Sequence, residues 1–192
     1  MRGPEPWPGG KVPLLIPETM KGAERAFLED AVSLWLRSPH VIIFERTVER
    51  AYVEVVRTAG ADSKIGYTGQ PQPLCLPHGF GLDLALHELG HVLGLHHEHT
   101  RYDRDDYIEV FPENVHFGLG PAFFAIEPRR DDVRPYDFAS VMHYAPDQLA
   151  KPGRVTFRAR PGKLPTGVRI GRWTEPSRGD LESLAILYDR SG

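Results

Sequence analysis

Five of the nine histidines fall between His87 and His99. His87 and His91 are four residues apart, so on a helix their side chains stack on one face about one turn apart. Two imidazoles so placed can hold one tetrahedral Zn²⁺. Glu88 sits beside the first of them, offset around the helix, where it can reach a metal-bound water without becoming a ligand. Two histidines leave the metal short of a third protein ligand. Gly94 lets the chain turn sharply after the helix, and by spacing alone His96, His97 and His99 all compete to swing back and supply it. The bland alternative is a pair of solvated or capping histidines. The apolar surroundings of the pair argue against it, because a buried histidine pair needs a partner and a metal supplies one.

The elements that must carry these residues follow from periodicity. Residues 80–93 read as a helix apolar on most faces and therefore buried, with Gly94 free to adopt the left-handed conformation that stops it. Residues 22–37 form an earlier helix with Phe27, Ala31, Leu34 and Trp35 on one face, ended by Pro39. Short strands are expected at 41–44, at 51–56 with Ala51, Val53 and Val55 sharing a face, and near Pro73 to Leu76. The GADSKIG stretch at 60–66 reads as a turn. From 98 to about 176 neither period persists and prolines recur, which predicts coil with short helices. A last helix runs from Ser177 to about Asp189, where Ser177 and Asp180 resemble a capping box and Leu181, Leu184, Ala185 and Tyr188 give an apolar face.

The remaining composition narrows the class. The chain has 192 residues and a net charge of −3 from 23 basic and 26 acidic residues, well mixed, as expected of one globular domain over 1–192. No basic footprint points to nucleic acid, and no apolar run or basic amphipathic helix points to a membrane. Cys75 is the single cysteine, so no intramolecular disulfide can form, and it reads as a small buried hydrophobe. The opening MRGPEPWPGG lacks the apolar core of a secretory signal. These two features favour a cytoplasmic location, with secretion the expectation if the chain is a processed or truncated form.

The extended pattern HExxHxxGxxH selects His97 as the third ligand. Its continuation HEHTRYDRDDY, from His97 to Tyr107, resembles the astacin family of metzincin zinc endopeptidases, with Glu98, Arg101, Asp103, Arg104 and Asp105 on the family pattern. The run from Tyr136 to Tyr144, ending Ser140-Val-Met142-His143-Tyr144, is similar to the family's Met-turn. Trp7-Pro-Gly9-Gly10, Glu45-Arg-Thr47, Tyr52-Val-Glu54 and the stretch from Gly171 to Asp180 resemble its other landmarks, so the likeness spans nearly the whole chain. Three departures stand out. Ala61 replaces a family cysteine and His40 falls near another, Asp83 stands where the family has glycine four residues before the first zinc histidine, and no propeptide is expected ahead of the start.

The resemblance implies an α+β, zincin-like fold of two lobes, 1–97 and 98–192. The first holds a twisted mixed β-sheet, a backing helix and the active-site helix; the second is irregular and ends in a helix. It implies one catalytic Zn²⁺ on His87, His91 and His97, with Tyr144 a further ligand at rest that swings away to hydrogen-bond the oxyanion. Met142 would floor the site, Glu98 would anchor the N-terminal segment, and the Arg101–Asp105 charges would form internal ion pairs. The expected activity is hydrolysis of peptide bonds by a metal-activated water, with Glu88 as general base. A peptide or protein substrate would lie extended along the strand near Pro73 to Leu76, on a monomer. Lys151, Arg154 or Arg172 would meet the acidic residue that many family members prefer after the cut bond. A zinc-stabilised peptide-binding protein without turnover, or a hydrolase of a non-peptide bond, are the competing readings.

Overall fold

The computed structural model describes residues 5–189; the opening Met1–Pro4, on which the signal reading bears, and the last three residues lie outside them. A five-stranded sheet is built from β1 (Lys11–Leu15), β2 (Ile42–Glu45), β3 (Val53–Arg57), β4 (Asp62–Ser63) and β5 (Gln72–Leu76), in the spatial order β2-β1-β3-β5-β4. The first four strands across it are parallel, and β4 runs antiparallel to β5 with Asp62 opposite Cys75 and Ser63 opposite Leu74. The alternation expected of β3 is present, with Val53 and Val55 buried. β1 is a strand that the sequence does not announce. One expectation fails here: the 60–66 segment, read as a turn, holds β4. Two residues are too few to show a period, so only pairing with β5 reveals them. β4 therefore closes the sheet, and β5 is an interior strand.

Helix α1 (Gly22–Trp35) backs the sheet. Its most buried residues are Leu28, Ala31 and Trp35, while Phe27 and Leu34 pack at the margin, so the buried face is rotated from the one read in the sequence. Helix α2 (Leu82–Val92) packs against α1 and against β4 and β5, burying Ala85, Leu86, Leu89 and Val92. Two tryptophans brace it: Trp35 Nε1 donates to Leu86 O at 3.1 Å, and Trp7 Nε1 donates to Val92 O at 2.8 Å. The second bond satisfies a carbonyl that the end of the helix leaves without an intrahelical donor.

After α2 the chain is short 3₁₀ turns and loops, as the recurring prolines predict. One small antiparallel pair, β6 (Ile108–Val110) with β7 (Phe157–Ala159), has no visible pattern in the sequence. It supports a second apolar cluster of Ile108, Val115, Phe123, Tyr136, Phe138 and Phe157. The last helix, α3 (Arg178–Tyr188), begins with the expected capping box: Asp180 N donates to Ser177 Oγ and Ser177 N donates to Asp180 Oδ2, both at 2.9 Å. α3 returns to the first lobe, where Leu184 joins the main core and Tyr188 OH donates to Leu93 O. No described helix is long and apolar enough to cross a membrane.

Candidate active site

Helix α2 presents His87, Glu88 and His91 to the cleft between the lobes. The helix stops where Gly94 takes φ 103°, a left-handed conformation that favours glycine. The chain then reverses and brings His97 back. Nε2 of His97 lies 3.0 Å from Nε2 of His87 and 3.0 Å from Nε2 of His91. Among the described residues these three form the one cluster able to share a metal. His96 and His99, which spacing leaves in competition, stand outside it.

The other ring nitrogens decide what the cluster is for. His87 Nδ1 donates to Val141 O and His91 Nδ1 to Leu95 O, each at 2.8 Å. A carbonyl only accepts, so both rings carry their proton on Nδ1 and present an Nε2 lone pair inward. Burial holds His87 below its usual range, His91 down at about 3 and His97 well below, so all three are neutral. Lone pairs crowded to 3.0 Å repel unless a cation lies among them. A tetrahedral zinc with Zn–N bonds of about 2.0–2.1 Å spaces its donors by about 3.3 Å, so the set fits one zinc ion.

Two packing relations hold this arrangement. A Cβ on Gly90 would meet Met142 Sδ at 2.4 Å and Trp35 Cζ2 at 3.2 Å, so the missing side chain is what lets the Met142 thioether sit against α2. Met142 is buried and its sulfur points at the helix. Asp180 does more than cap α3. Its carboxylate accepts from Ser140 Oγ at 2.6 Å and from Val141 N at 3.0 Å. The Val141 carbonyl is the one that orients His87, so the final helix reaches the metal cluster through one peptide. The capping box is legible in the sequence; this second use of the same carboxylate is not, because it joins positions 40 apart.

Glu88 is 4% exposed, and its Oε2 completes no hydrogen bond within the described protein. Burial is the main cause that pushes its carboxyl up to about 7; the Ser63 hydroxyl alongside opposes this and the Asp62 charge adds to it. Ser63 Oγ itself completes no bond of full geometry. Tyr144, half-buried, sets its ring 4.5 Å from that of His97 and 6.2 Å from that of His87, measured between centroids. Burial pushes its phenol up to about 12, with the Glu88 charge adding. His143 is structural: its Nδ1 donates to Tyr144 O at 2.8 Å and its Nε2 accepts from Tyr136 OH at 2.7 Å.

Glu98 makes its described contacts within the second lobe. Its carboxylate receives Arg134 Nη1 at 3.0 Å, Arg134 Nη2 at 2.7 Å and Asp137 N at 2.7 Å. The expected contact of Glu98 with the start of the chain falls on Met1–Pro4, outside the described residues; just after them Tyr67 N donates to Glu5 O at 2.7 Å and Trp7 Nε1 donates to Val92 O. Arg134 fills the position because Glu98 is fully buried and requires a cation, and this side chain arrives from the extended backbone that leads into the Met-turn. The charge run is internal, as the family likeness implies. Arg101 pairs with both oxygens of Asp103 at 2.9 Å and donates to the Asp132 and Arg134 carbonyls, while Asp105 stays exposed.

The cleft encloses about 430 Å³, bounded above by Asp62, Ser63 and Asp83 and below by Leu149, Arg172 and Trp173. Its wall is β4, correcting the expectation that β5 is the accessible edge. Asp83 thus lies in the cleft at the position where the family has glycine. Of the three basic residues considered for substrate contact, Arg172 lines the cleft, bonded to Asp147 at 2.8 Å, and Lys151 and Arg154 do not. Cys75 is half-buried on β5, not the fully buried hydrophobe expected.

Comparison with known proteins agrees with this geometry. The family model described as Astacin, a peptidase family, matches residues 2–189. Tolloid-like protein 1 of Homo sapiens is 35% identical over 191 residues, covering 95% of this chain and 19% of its own length. Bone morphogenetic protein 1 of Xenopus laevis is 36% identical, covering 95% of this chain and 27% of its own. The chain therefore spans only about a fifth to a quarter of these relatives. Among solved structures, high choriolytic enzyme 1, a hatching enzyme zinc-protease from Oryzias latipes, superposes with a TM-score of 0.86 at 29% identity, covering 97% of this chain and 94% of that one. Myroilysin, at 16% identity and a TM-score of 0.58, shares the fold alone. The chain belongs to the astacin family of peptidases, a family of zinc metalloendopeptidases.

Proposed function

We propose that this domain is an endopeptidase that cuts an extended peptide by water attack, with Glu88 as the proton carrier. The observation that carries the reading is the convergence of three neutral imidazoles in the same cleft as a buried carboxyl with an unpartnered oxygen. His87, His91 and His97 would hold one zinc ion, with Tyr144 a further ligand at rest. When bound, zinc supplies Lewis-acid activation of water and of the peptide carbonyl.

Glu88 takes a proton from the attacking water and then delivers it to the leaving amine. A carboxyl poised at about 7 can do both near neutral pH. Tyr144, with its proton retained, donates to the carbonyl oxygen as that atom gains negative charge. Met142 packs under the histidines without touching substrate. Glu98 fixes the turn that follows His97 by its pair with Arg134. The free side of β4, at Asp62 and Ser63, offers backbone groups to which an extended substrate can add as a strand. We propose that the domain acts as a monomer, since its mechanism asks for no residue beyond this chain. With Cys75 as its single cysteine the domain folds without an internal disulfide, which suits a reducing compartment.

The test is hydrolysis of a quenched peptide library by the wild type and by Glu88→Gln, with bound zinc measured in both. The wild type cleaves, a chelator stops it and added zinc restores it. Glu88→Gln keeps its zinc and is slower by about 10²–10⁴-fold. A zinc-loaded wild type that cleaves nothing would leave the domain a binding module. Undiminished cleavage by Glu88→Gln would remove Glu88 from the mechanism.

A further inference from the structure

Of the five histidines between 87 and 99, neither the zinc set nor the mechanism uses His96 or His99, and of these two His99 is 0% exposed. Its ring lies face to face with that of Tyr144, with centroids 4.0 Å apart and planes at 27°. This is the closest ring contact Tyr144 makes among the described residues. The ring plane of His99 is set by one hydrogen bond, from Nε2 to Ala122 O at 3.0 Å. Phe123, next along the same turn, closes the niche, 5.3 Å from the His99 ring and 6.0 Å from that of Tyr144. Tyr144 also meets His97 edge-on at 4.5 Å, and His97 lies 5.1 Å from His99, so the three rings form a triangle.

The second nitrogen makes the residue type informative. Because Nε2 donates to a carbonyl, Nδ1 carries a bare lone pair, and it is buried without a partner. A buried unpartnered acceptor costs stability. An aliphatic side chain would fill the same space without that cost, but it has no flat face and no donor with which to hold a face still. What the histidine adds is a flat wall whose orientation is pinned to the lower lobe.

We propose that His99 is a positioning residue for Tyr144: its pinned imidazole is the wall that holds the phenol ring beside His97, so that the placement of Tyr144, not the binding of zinc, depends on it. This rests on the reading of Tyr144 as a zinc ligand at rest and oxyanion donor.

The experiment compares His99→Leu, His99→Phe and Tyr144→Phe, and the His99→Leu, Tyr144→Phe double variant. Each is measured for bound zinc, thermal midpoint, kcat and KM. A further readout is the phenolate-to-copper charge-transfer absorption of the Cu²⁺-loaded protein, which reports a Tyr144 oxygen at the metal without any turnover. His99→Leu is expected to keep its zinc and its KM, to lose about 3- to 10-fold in kcat, the range an aromatic pair is worth, and to show a weakened band. His99→Phe, which keeps a flat face, restores most of both. In the Tyr144→Phe background His99→Leu costs nothing further in kcat. Should His99→Leu fail to fold, His99→Gln replaces it, keeping a donor for Ala122 without a ring.

The proposal is overturned if Tyr144→Phe removes the band and lowers kcat while His99→Leu changes neither. It is equally overturned by the same loss from His99→Leu in both backgrounds. If Tyr144→Phe itself alters neither band nor kcat, the reading of Tyr144 is what fails, and the His99 role falls with it.

Discussion

The two lobes deliver side chains to the same cleft by different physical means. In the first, His87, Glu88 and His91 ride on a helix whose backbone is satisfied internally and whose other faces lie in hydrocarbon, with Ala85, Leu86, Leu89 and Val92 fully buried. In the second, Tyr144 is carried by chain with no helix or strand beneath it. That chain is held by buried charge: Glu98 with Arg134, Arg101 with Asp103, and Asp180 with Ser140 and Val141. The difference follows from backbone accounting. A loop's buried N–H and C=O groups need partners that secondary structure does not supply, and carboxylates and guanidinium groups, with several acceptors or donors each, supply them at a few fixed points. Precision without regular structure is possible here, but each anchor matters more than any one apolar contact does.

That contrast can be broken at its strongest point. Arg134→Ala leaves the buried Glu98 carboxylate, as cation partner, only its longer contact with Arg101 at 3.7 Å and is expected to cost about 3–5 kcal/mol of stability, which urea unfolding measures. Replacing Glu98 and Arg134 together with methionine should recover most of the loss, since Arg101 keeps its pairs with Asp103 and Asp132. If Arg134→Ala costs no more than an exposed pair, apolar packing holds the second lobe and the comparison fails.

Tyr144→Phe sharpens the contrast in function. In the proposed mechanism the three histidines would hold zinc and Tyr144 would act on the reacting carbonyl, so the variant should keep its zinc and lose about two orders in kcat. Unchanged turnover would reduce Tyr144 to packing. Smaller still, Ser177→Ala removes the cap of α3 and is expected to cost about 0.5–2 kcal/mol in the same unfolding measurement, without loss of zinc. At the bottom of the scale is the exposed Arg178–Glu182 pair on α3, 93% and 43% exposed. Arg178→Ala should shift stability by about 0.5 kcal/mol or less, and salt should screen even that. An effect there as large as at Arg134 would mean that burial does not set the value of an ion pair in this protein.

Legibility in the sequence divides along the same line. α2 and α3 are readable because a helix repeats its demand for apolar residues every turn and advertises its ends, at Gly94 and at Ser177 with Asp180. The face of α1 is ambiguous because Phe27 and Leu34 satisfy nearly the same period as Leu28 and Ala31, and only the neighbours on the sheet decide between them. β4 escapes because two residues carry no alternation. Arg134 escapes because its value is a contact with Glu98, 36 positions away, and nothing local marks it. The same holds for Gly90, whose requirement comes from Met142 and Trp35.

By itself, the sequence determined two of the candidate zinc donors, the carboxyl between them and the helix that spaces them, because His87, Glu88 and His91 lie within about one helical turn, where local geometry alone sets the separation. Folding in three dimensions decided how His97, which the extended pattern already selects, is carried back to the pair, which strand borders the cleft, and what partners Glu98, Asp180 and Tyr144. Those are contacts between segments distant along the chain, and their energies come from burial and charge pairing that no local pattern encodes.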